Sequence, residues 1–407
     1  MNYQVPKKLL IIFLFSALSI TVFRSVIINS NKTIAFIDLY LPNTAEGLIN
    51  IVQRNFGTWI YINGGQPRDG EPTTGLLYFI LIPLAYLGVP ASVIFPLLMT
   101  LSLYSMYYLT VSLTKDRIAG VTASILYVFS IYYATMLLGG ILSFLFSFAL
   151  FPLYTAFLLK TYDYCKKSVN VYSLIISGVI LSLILMSAIQ YFLFAYFLSL
   201  CWFLLTFIKA KSATHLKKII VCIFVILLIS IFINAYWIFP ILNYLFHGFT
   251  PRYEAQYFTF SDEVKFWSKF GLPAKMILGF IHGEFSWRVL KEQVVLPLLL
   301  QTSLVLLASL NIIFYKRIKI KKEIQILFWL TFVSGLLLSA GSNILIVGKI
   351  YDLLLNYFTF IYLALSRPYF FNFLSTFSIA VLIGIFISSK NIKFKKSIRY
   401  ALTIFLI

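Results

Sequence analysis

Acidic residues are what this chain lacks most. Of 407 residues only 13 are Asp or Glu, against 33 Lys or Arg, and both signs together make up 11%. So little charge excludes an ordinary soluble domain. With 61% hydrophobic residues and a mean hydropathy of +0.93, the chain carries more apolar surface than a water-facing fold can hide, so its solvent must be mostly lipid. Cysteine is scarce too: Cys165, Cys201 and Cys222 have no ligand spacing, which excludes a disulfide framework and a zinc site. There is no sustained internal repeat and no low-complexity tract. The first apolar run, Leu9 to Val26, is followed by no small-residue cleavage site, so it reads as a retained membrane helix.

Positive charge, by contrast, is abundant, with a net +20. Its placement excludes nucleic acid as the partner, because the cations collect in short clusters between apolar runs. That is the positive-inside pattern of a polytopic membrane protein. A crossing needs about 17 to 25 apolar residues. Such runs predict crossings near 9–28, 92–113, 118–137, 141–159, 171–189, 191–208, 219–243, 294–315, 324–343 and 371–389, with one more starting at 398. The expected fold is therefore all-α, a bundle of about eleven transmembrane helices. Two apolar stretches fail the length test. Residues 76–87 are short and bracketed by Gly75 and "GVP", and 344–365 are interrupted by Lys349, Asp352 and Asn356. Both are expected to be re-entrant or interfacial.

With Lys7 and Lys8 inside, "TKDR", "KTYDYCKK", "KAKSATHLKK", "YKRIKIKK" and "KNIKFKKSIR" all fall in the cytoplasm. Letting 76–87 span would export most of them. Under this topology Asp116, Asp163 and Glu323 are the inner acids. Asp38, Glu46, Asp69, Glu71, Glu254, Asp262, Glu263, Glu284, Glu292 and Asp352 are the outer ones, so ten and three account for all 13. Two outer loops, 29–91 and 244–293, hold nine of the ten. The inner loops are short and basic, so a polar site is expected on the outer face. The chain stops at "ALTIFLI", midway through an apparent crossing, as expected of a sequence that continues past residue 407.

In the first outer loop Asp38 lies about ten residues beyond the first crossing, within reach of the headgroup layer. "NTAEGLINIVQRNF" opens like a capping box, with Asn43 or Thr44 before Glu46, and predicts a short surface helix. The whole loop reads as a lid lying on the membrane. Composition alone makes Asp38 an interfacial carboxylate paired with Lys32 or Arg54. Asp69, in "GGQPRDGEP", is either a turn-forming residue before Gly70 or a second catalytic acid. A phosphate-bearing substrate would need outer cations, and Arg54, Arg68, Arg252, Arg288 and Arg367 are the candidates. Arg367 stands before Pro368 in "LALSRPYFFNFLSTF". Pro368 favours the first helical position, which would put Arg367 at the outward N-terminus of the 371–389 crossing. A cation there opposes the helix dipole, and a bound anion would remove the conflict. Its alternative role is snorkelling to headgroups, the role also read for Arg24. The second loop carries Arg252, Glu254, Trp287 and Arg288, suited to an acceptor site or equally to an aromatic membrane belt. His247 and His282 have no ligand spacing, and Asn234 and Trp237 read as packing residues.

The order of these features resembles the GT-C glycosyltransferases, which take sugars from polyprenyl-phosphate carriers on the outer membrane face. "FIDLYLP", "LINIVQRNFGTW", "GLLYFILIPLAYLGVP", "LGGILSFLFSFALFPL" and "NAYWIFPIL" look most like the archaeal and actinobacterial arabinofuranosyltransferase-like branch. The resemblance covers most of residues 30–245, and "LSRPYFF" extends it. It implies an inverting transferase in the plasma membrane with its active site outside. Asp38 would be the catalytic base that takes the proton of the attacking acceptor hydroxyl. Arg367, with Arg54 or Arg68, would bind the donor phosphate, and an extracytoplasmic glycan, lipid or protein would be the acceptor. Oligosaccharyltransferase relatives carry a second, metal-holding acidic motif at the outer turn between the third and fourth crossings. Here that turn is "ATMLLGGILSF", without an acid, so no metal or other cofactor is assigned. Two rival classes are a lipid or polysaccharide transporter and a non-catalytic membrane subunit. Transporters place charges at mid-membrane and show inverted repeats, and neither is found in this sequence. The missing acidic motif is what favours the subunit.

Overall fold

The computed structural model describes residues 5–28, 34–35, 40–41, 44–56, 59–60, 66–67, 81–139, 142–163, 168–210, 212–246, 304–312, 320–357 and 368–389. Local chemistry sets most helix boundaries among them. Helix α1 (Val5–Val22) is followed, after Phe23, by the short α2 (Arg24–Ile28). Strands β1 (Ile34–Ala35) and β2 (Tyr40–Leu41) pair antiparallel. Thr44 Oγ1 then accepts the N–H of Gly47 at 3.1 Å and starts α3 (Ala45–Phe56), the surface helix that the capping signal predicts. Strands β3 (Trp59–Ile60) and β4 (Gln66–Pro67) form a second pair.

Residues 81–86 are helical. A 3-10 turn at Ala91–Val93 leads into α4 (Ile94–Thr114). Lys115 ends that helix in a left-handed conformation, φ 59°. Asp116 caps α5 (Arg117–Val128), its carboxylate accepting the N–H groups of Ile118 and Ala119 at 3.0 and 3.3 Å. Ser130 opens α6 (Ile131–Gly139) by accepting the N–H of Tyr133 at 3.2 Å. A hydroxyl that bonds the backbone in this way interrupts a helix, and α5 and α6 meet at 48°. Helix α7 (Leu142–Thr161) follows, then the pair β5 (Tyr162–Asp163) and β6 (Ser168–Val169). Asn170 caps α8 (Val171–Ser187), and extended Ala188 separates it from α9 (Ile189–Ala210). Next comes α10 (Ala213–Phe246), and residues 304–312 are helical. The rest is α11 (Lys322–Ser339), a 3-10 turn at Gly341–Asn343, α12 (Leu345–Tyr357), a 3-10 turn at Pro368–Phe371 and α13 (Asn372–Ile387).

The chain is thus an all-helical, membrane-embedded protein whose described strands are only two residues each. The expected crossing count needs correction. Among the described residues five helices are long and apolar enough to cross, within α4, α7, α9, α10 and α11, or six if the bent α5–α6 pair is one span. The predicted crossings at 9–28, 171–189 and 371–389 contain apolar helices of 10 to 17 residues. At about 1.5 Å per residue these fall short of a hydrocarbon core about 30 Å thick. The run at 294–315 is described only at 304–312, and the one from 398 lies outside the described residues. Residues 344–365, set aside as too interrupted to cross, begin with the 13-residue α12.

Aromatic and small side chains hold the helices together. Helix α1 runs antiparallel to α4: Phe23 stacks on Phe95, Thr100 Oγ1 donates to Ser19 Oγ at 3.0 Å, and Phe15 meets Tyr107 edge-on. Helix α13 packs on both α5 and α11. A Cβ at Gly384 would stand 2.7 Å from Thr110 Cγ2, and one at Gly335 would stand 2.5 Å from Ser375 Oγ. Only glycine permits those approaches. Buried Asn234 ties α10 to α8, its amide donating to the carbonyl and hydroxyl of Ser182 at 3.1 and 3.0 Å.

These contacts give the bundle polarity. Lys160 at the end of α7 donates to Tyr108 of α4, and Lys209 at the end of α9 pairs with Glu323 at the start of α11. The α4–α5 turn carries Lys115 and Arg117, and the antiparallel fit of α1 on α4 puts the N-terminal end of α1 at the same end. One end of the bundle is therefore basic. Helix α10 starts there and is 34 residues long, about 51 Å. That exceeds the hydrocarbon thickness by roughly 20 Å, so α10 overshoots the opposite end.

Candidate functional site

The end away from the lysines is built of rings. The segments "YVFSIYYA", "LSFLFSF", "AIQYFLF" and "RPYFFNF" each lie at a helix boundary, and the boundaries converge. Phe373, in the first turn of α13, is their hub. Its ring centroid lies 4.5 Å from Tyr191, 4.7 Å from Phe151, 5.6 Å from Phe148 and 5.7 Å from Tyr132. The preceding 3-10 turn inserts Phe370 against Phe144 and Phe371 against Phe194, both at 4.8 Å. Edge-to-face and tilted rings at these distances attract beyond their area burial.

The polar ends of the buried tyrosines are mostly satisfied. Tyr191 donates its hydroxyl to the Tyr132 hydroxyl at 3.0 Å, and Tyr127 donates to the Phe148 carbonyl at 2.8 Å. Tyr351 of α12 meets Phe371 edge-on at 6.4 Å and donates to the Leu338 carbonyl at 3.0 Å. Burial pushes the Tyr351 hydroxyl well above its ordinary pKa of 10.0. The Tyr133 hydroxyl is buried with no hydrogen-bond partner among the described residues.

Around this floor lie the segments that the sequence singles out. Helix α2 touches the 3-10 turn that starts α4, so the 29–91 segment begins at the aromatic end. Strand β4 touches α10, which links the first loop to the helix leading into the second. The catalytic candidates Asp38 and Asp69 lie outside the described residues. So do Arg68, Arg367, Arg252, Glu254, Trp287 and Arg288. Arg54 falls on α3. Asp38 belongs by sequence to the 36–39 connection between β1 and β2, and Arg68 and Asp69 directly follow β4.

One expectation near Arg367 is corrected. Pro368 does not open an α-helix but a 3-10 turn, and the first α-helical residue is Asn372. The run Phe370–Phe371 drives this, because a tighter turn sends both rings into the aromatic floor. The positive end of the α13 dipole therefore begins four residues after Pro368 and not beside position 367.

The rings of this floor are buried against one another, so they form a packed base for the loops above rather than free faces for a ligand. Among the described residues no group of three His, Cys, Asp or Glu could hold a metal ion. The described carboxylates on the loop elements and α12 are Glu46 and Asp352, both exposed. This ring floor is not among the features singled out from the sequence. Its only sequence signal is that four aromatic clusters coincide with helix boundaries. No known family model matches the chain, and no characterised protein or solved structure matches it.

Proposed function

We propose that the chain is a membrane glycosyltransferase of the GT-C kind. It would move a sugar from a polyprenyl-phosphate donor to an extracytoplasmic acceptor at the aromatic end. The observation that carries this reading is the β1–β2 pair. Ile34 pairs with Leu41 and Ala35 with Tyr40, shortly after the chain leaves the bundle at the aromatic end. Both ends of the connection that carries Asp38 are thereby pinned, as a general base needs if it is to meet an acceptor hydroxyl within hydrogen-bond reach. The fixed entry of the "RPYFF" turn into the same aromatic floor supports Arg367 as a phosphate ligand. The contact of β4 with α10 supports joint use of both outer loops. The leaving group is a lipid phosphate, good enough to depart without an obligatory general acid.

The test uses the purified full chain with a panel of labelled polyprenyl-phosphate sugars and a cell-envelope acceptor extract. The wild type transfers label. Asp38→Asn lowers transfer by about 10²- to 10⁴-fold with an unchanged gel-filtration profile, whereas Asp69→Asn retains most of it. Full transfer by Asp38→Asn overturns the base assignment. Passage of labelled lipid across a vesicle without glycosyl transfer makes the chain a transporter instead.

A further inference from the structure

We propose that Lys160 and its aromatic surround form a binding site for the phosphate of an anionic phospholipid, in the leaflet at the basic end of the bundle. Lys160 ends α7 with its side chain exposed. Its ammonium nitrogen donates to the Tyr108 hydroxyl at 3.0 Å and stands 4.6 Å from the Tyr108 ring centroid and 5.7 Å from that of Phe157. Those two rings stack on each other at 5.9 Å, and Tyr172 closes on Phe157 edge-to-face at 6.3 Å.

Side chains of α4 and α7 therefore hold one cation in place, and Tyr172 of α8 backs the Phe157 ring. A solvated surface lysine is normally free to sweep through its rotamers, but the ring contacts hold this one. An ammonium has three donors, and the bond to Tyr108 uses one of them.

The surroundings select a lipid rather than a soluble anion. Val171 and Tyr172, 61% and 69% exposed, form an apolar rim where α8 begins. Tyrosine beside lysine at the end of a long apolar helix is the arrangement of a membrane–water boundary. Tyr172 stands in the first turn of α8, so the positive end of that helix dipole lies beside the same mouth. A headgroup phosphate would accept from the ammonium while its acyl chains lay along the apolar side chains, as lipid recognition by fixed basic groups requires.

The experiment is native mass spectrometry of the full chain released from micelles doped with phosphatidylglycerol or phosphatidylcholine. Wild type is expected to retain phosphatidylglycerol in preference. Lys160→Gln should bind it about five- to tenfold more weakly, close to the loss of one lysine's attraction to an anionic surface. Lys160→Arg keeps binding, and Lys217→Gln, an exposed lysine elsewhere at the basic end, behaves as wild type. Equal retention of both lipids by wild type overturns the proposal without any variant. So does equal loss in Lys160→Gln and Lys217→Gln, or displacement of the lipid by millimolar inorganic phosphate.

Discussion

Tyr351 shows how much one side chain can reveal at the residue scale. Its ring is buried against Phe371 and its hydroxyl is committed to the Leu338 carbonyl. The folded-state pKa lies well above the ordinary 10.0, so the sign is settled. Below pH 10 the phenol is protonated in both folded and unfolded chains, and its contribution is fully present. As the pH rises past 10 the unfolded chain ionises while the folded one does not, and that contribution is lost. At neutral pH Tyr351→Phe is expected to be less stable than wild type by about 1 kcal/mol, the value of one hydrogen bond. The gap should shrink as the pH rises from 9 to 11. Thermal unfolding of both proteins in detergent across that range measures it, and a constant gap would rule the argument out. The neighbouring ring hub was invisible in sequence for a related reason. Phe373 sits in a run of apolar residues, and nothing in "PYFFNFL" says which ring faces protein and which faces lipid.

At the scale of elements, the cap before α3 was legible, and breaks and partners were not. Thr44 bonds a backbone N–H where the capping pattern predicts a helix start, and Asp116 and Asn170, not singled out as caps from the sequence, do the same. Ser130 does the same inside a stretch that hydropathy reads as one crossing, because a windowed average cannot register a single hydroxyl turned onto the backbone. Pairing between α9 and α11 joins Lys209 and Glu323, far apart in sequence, with nitrogen and oxygen 3.2 Å apart and side chains 56% and 13% exposed. Solvent around the lysine discounts the pair to about 0.2 to 1 kcal/mol. Glu323 also lies in the first turn of α11, where a negative charge suits the dipole. Lys209→Glu should lower stability, and adding Glu323→Lys should recover the pair term but not the dipole term. Melting temperatures of the four proteins in a double-mutant cycle at low salt give the coupling. A coupling of zero at low ionic strength would mean the pair holds nothing together.

For the whole molecule, the telling property is polarity from end to end. Lys115, Lys160 and Lys209 lie at one end and the Phe373 ring floor toward the other, and α10 runs past the floor to touch β4. If the basic end faces the cytoplasm, as the positive-inside rule requires, exposed Glu46 on α3 and exposed Thr214 near the start of α10 lie on opposite sides of the bilayer. In a chain with Cys165, Cys201 and Cys222 replaced by serine, a membrane-impermeant maleimide should label Glu46→Cys on intact cells. It should label Thr214→Cys only after permeabilisation. Labelling of both from one side would remove the outward-facing site and with it the proposed transferase chemistry.

Composition and charge order determined by themselves that this is an all-helical membrane protein with its cations grouped between apolar runs. Both follow from lipid as solvent, which acts on each residue through its own transfer energy and so can be read residue by residue. Helix lengths, the bend at Ser130 and the 3-10 turn at Pro368–Phe371 were decided only in three dimensions, as were the ring floor beneath that turn and the Lys160 surround. The ring floor and the Lys160 surround depend on which side chains meet across helices distant in sequence, and the bend on one hydroxyl turned onto its own backbone. In a chain that is apolar on nearly every face, hydropathy separates membrane from water, but it does not distinguish a neighbouring helix from lipid.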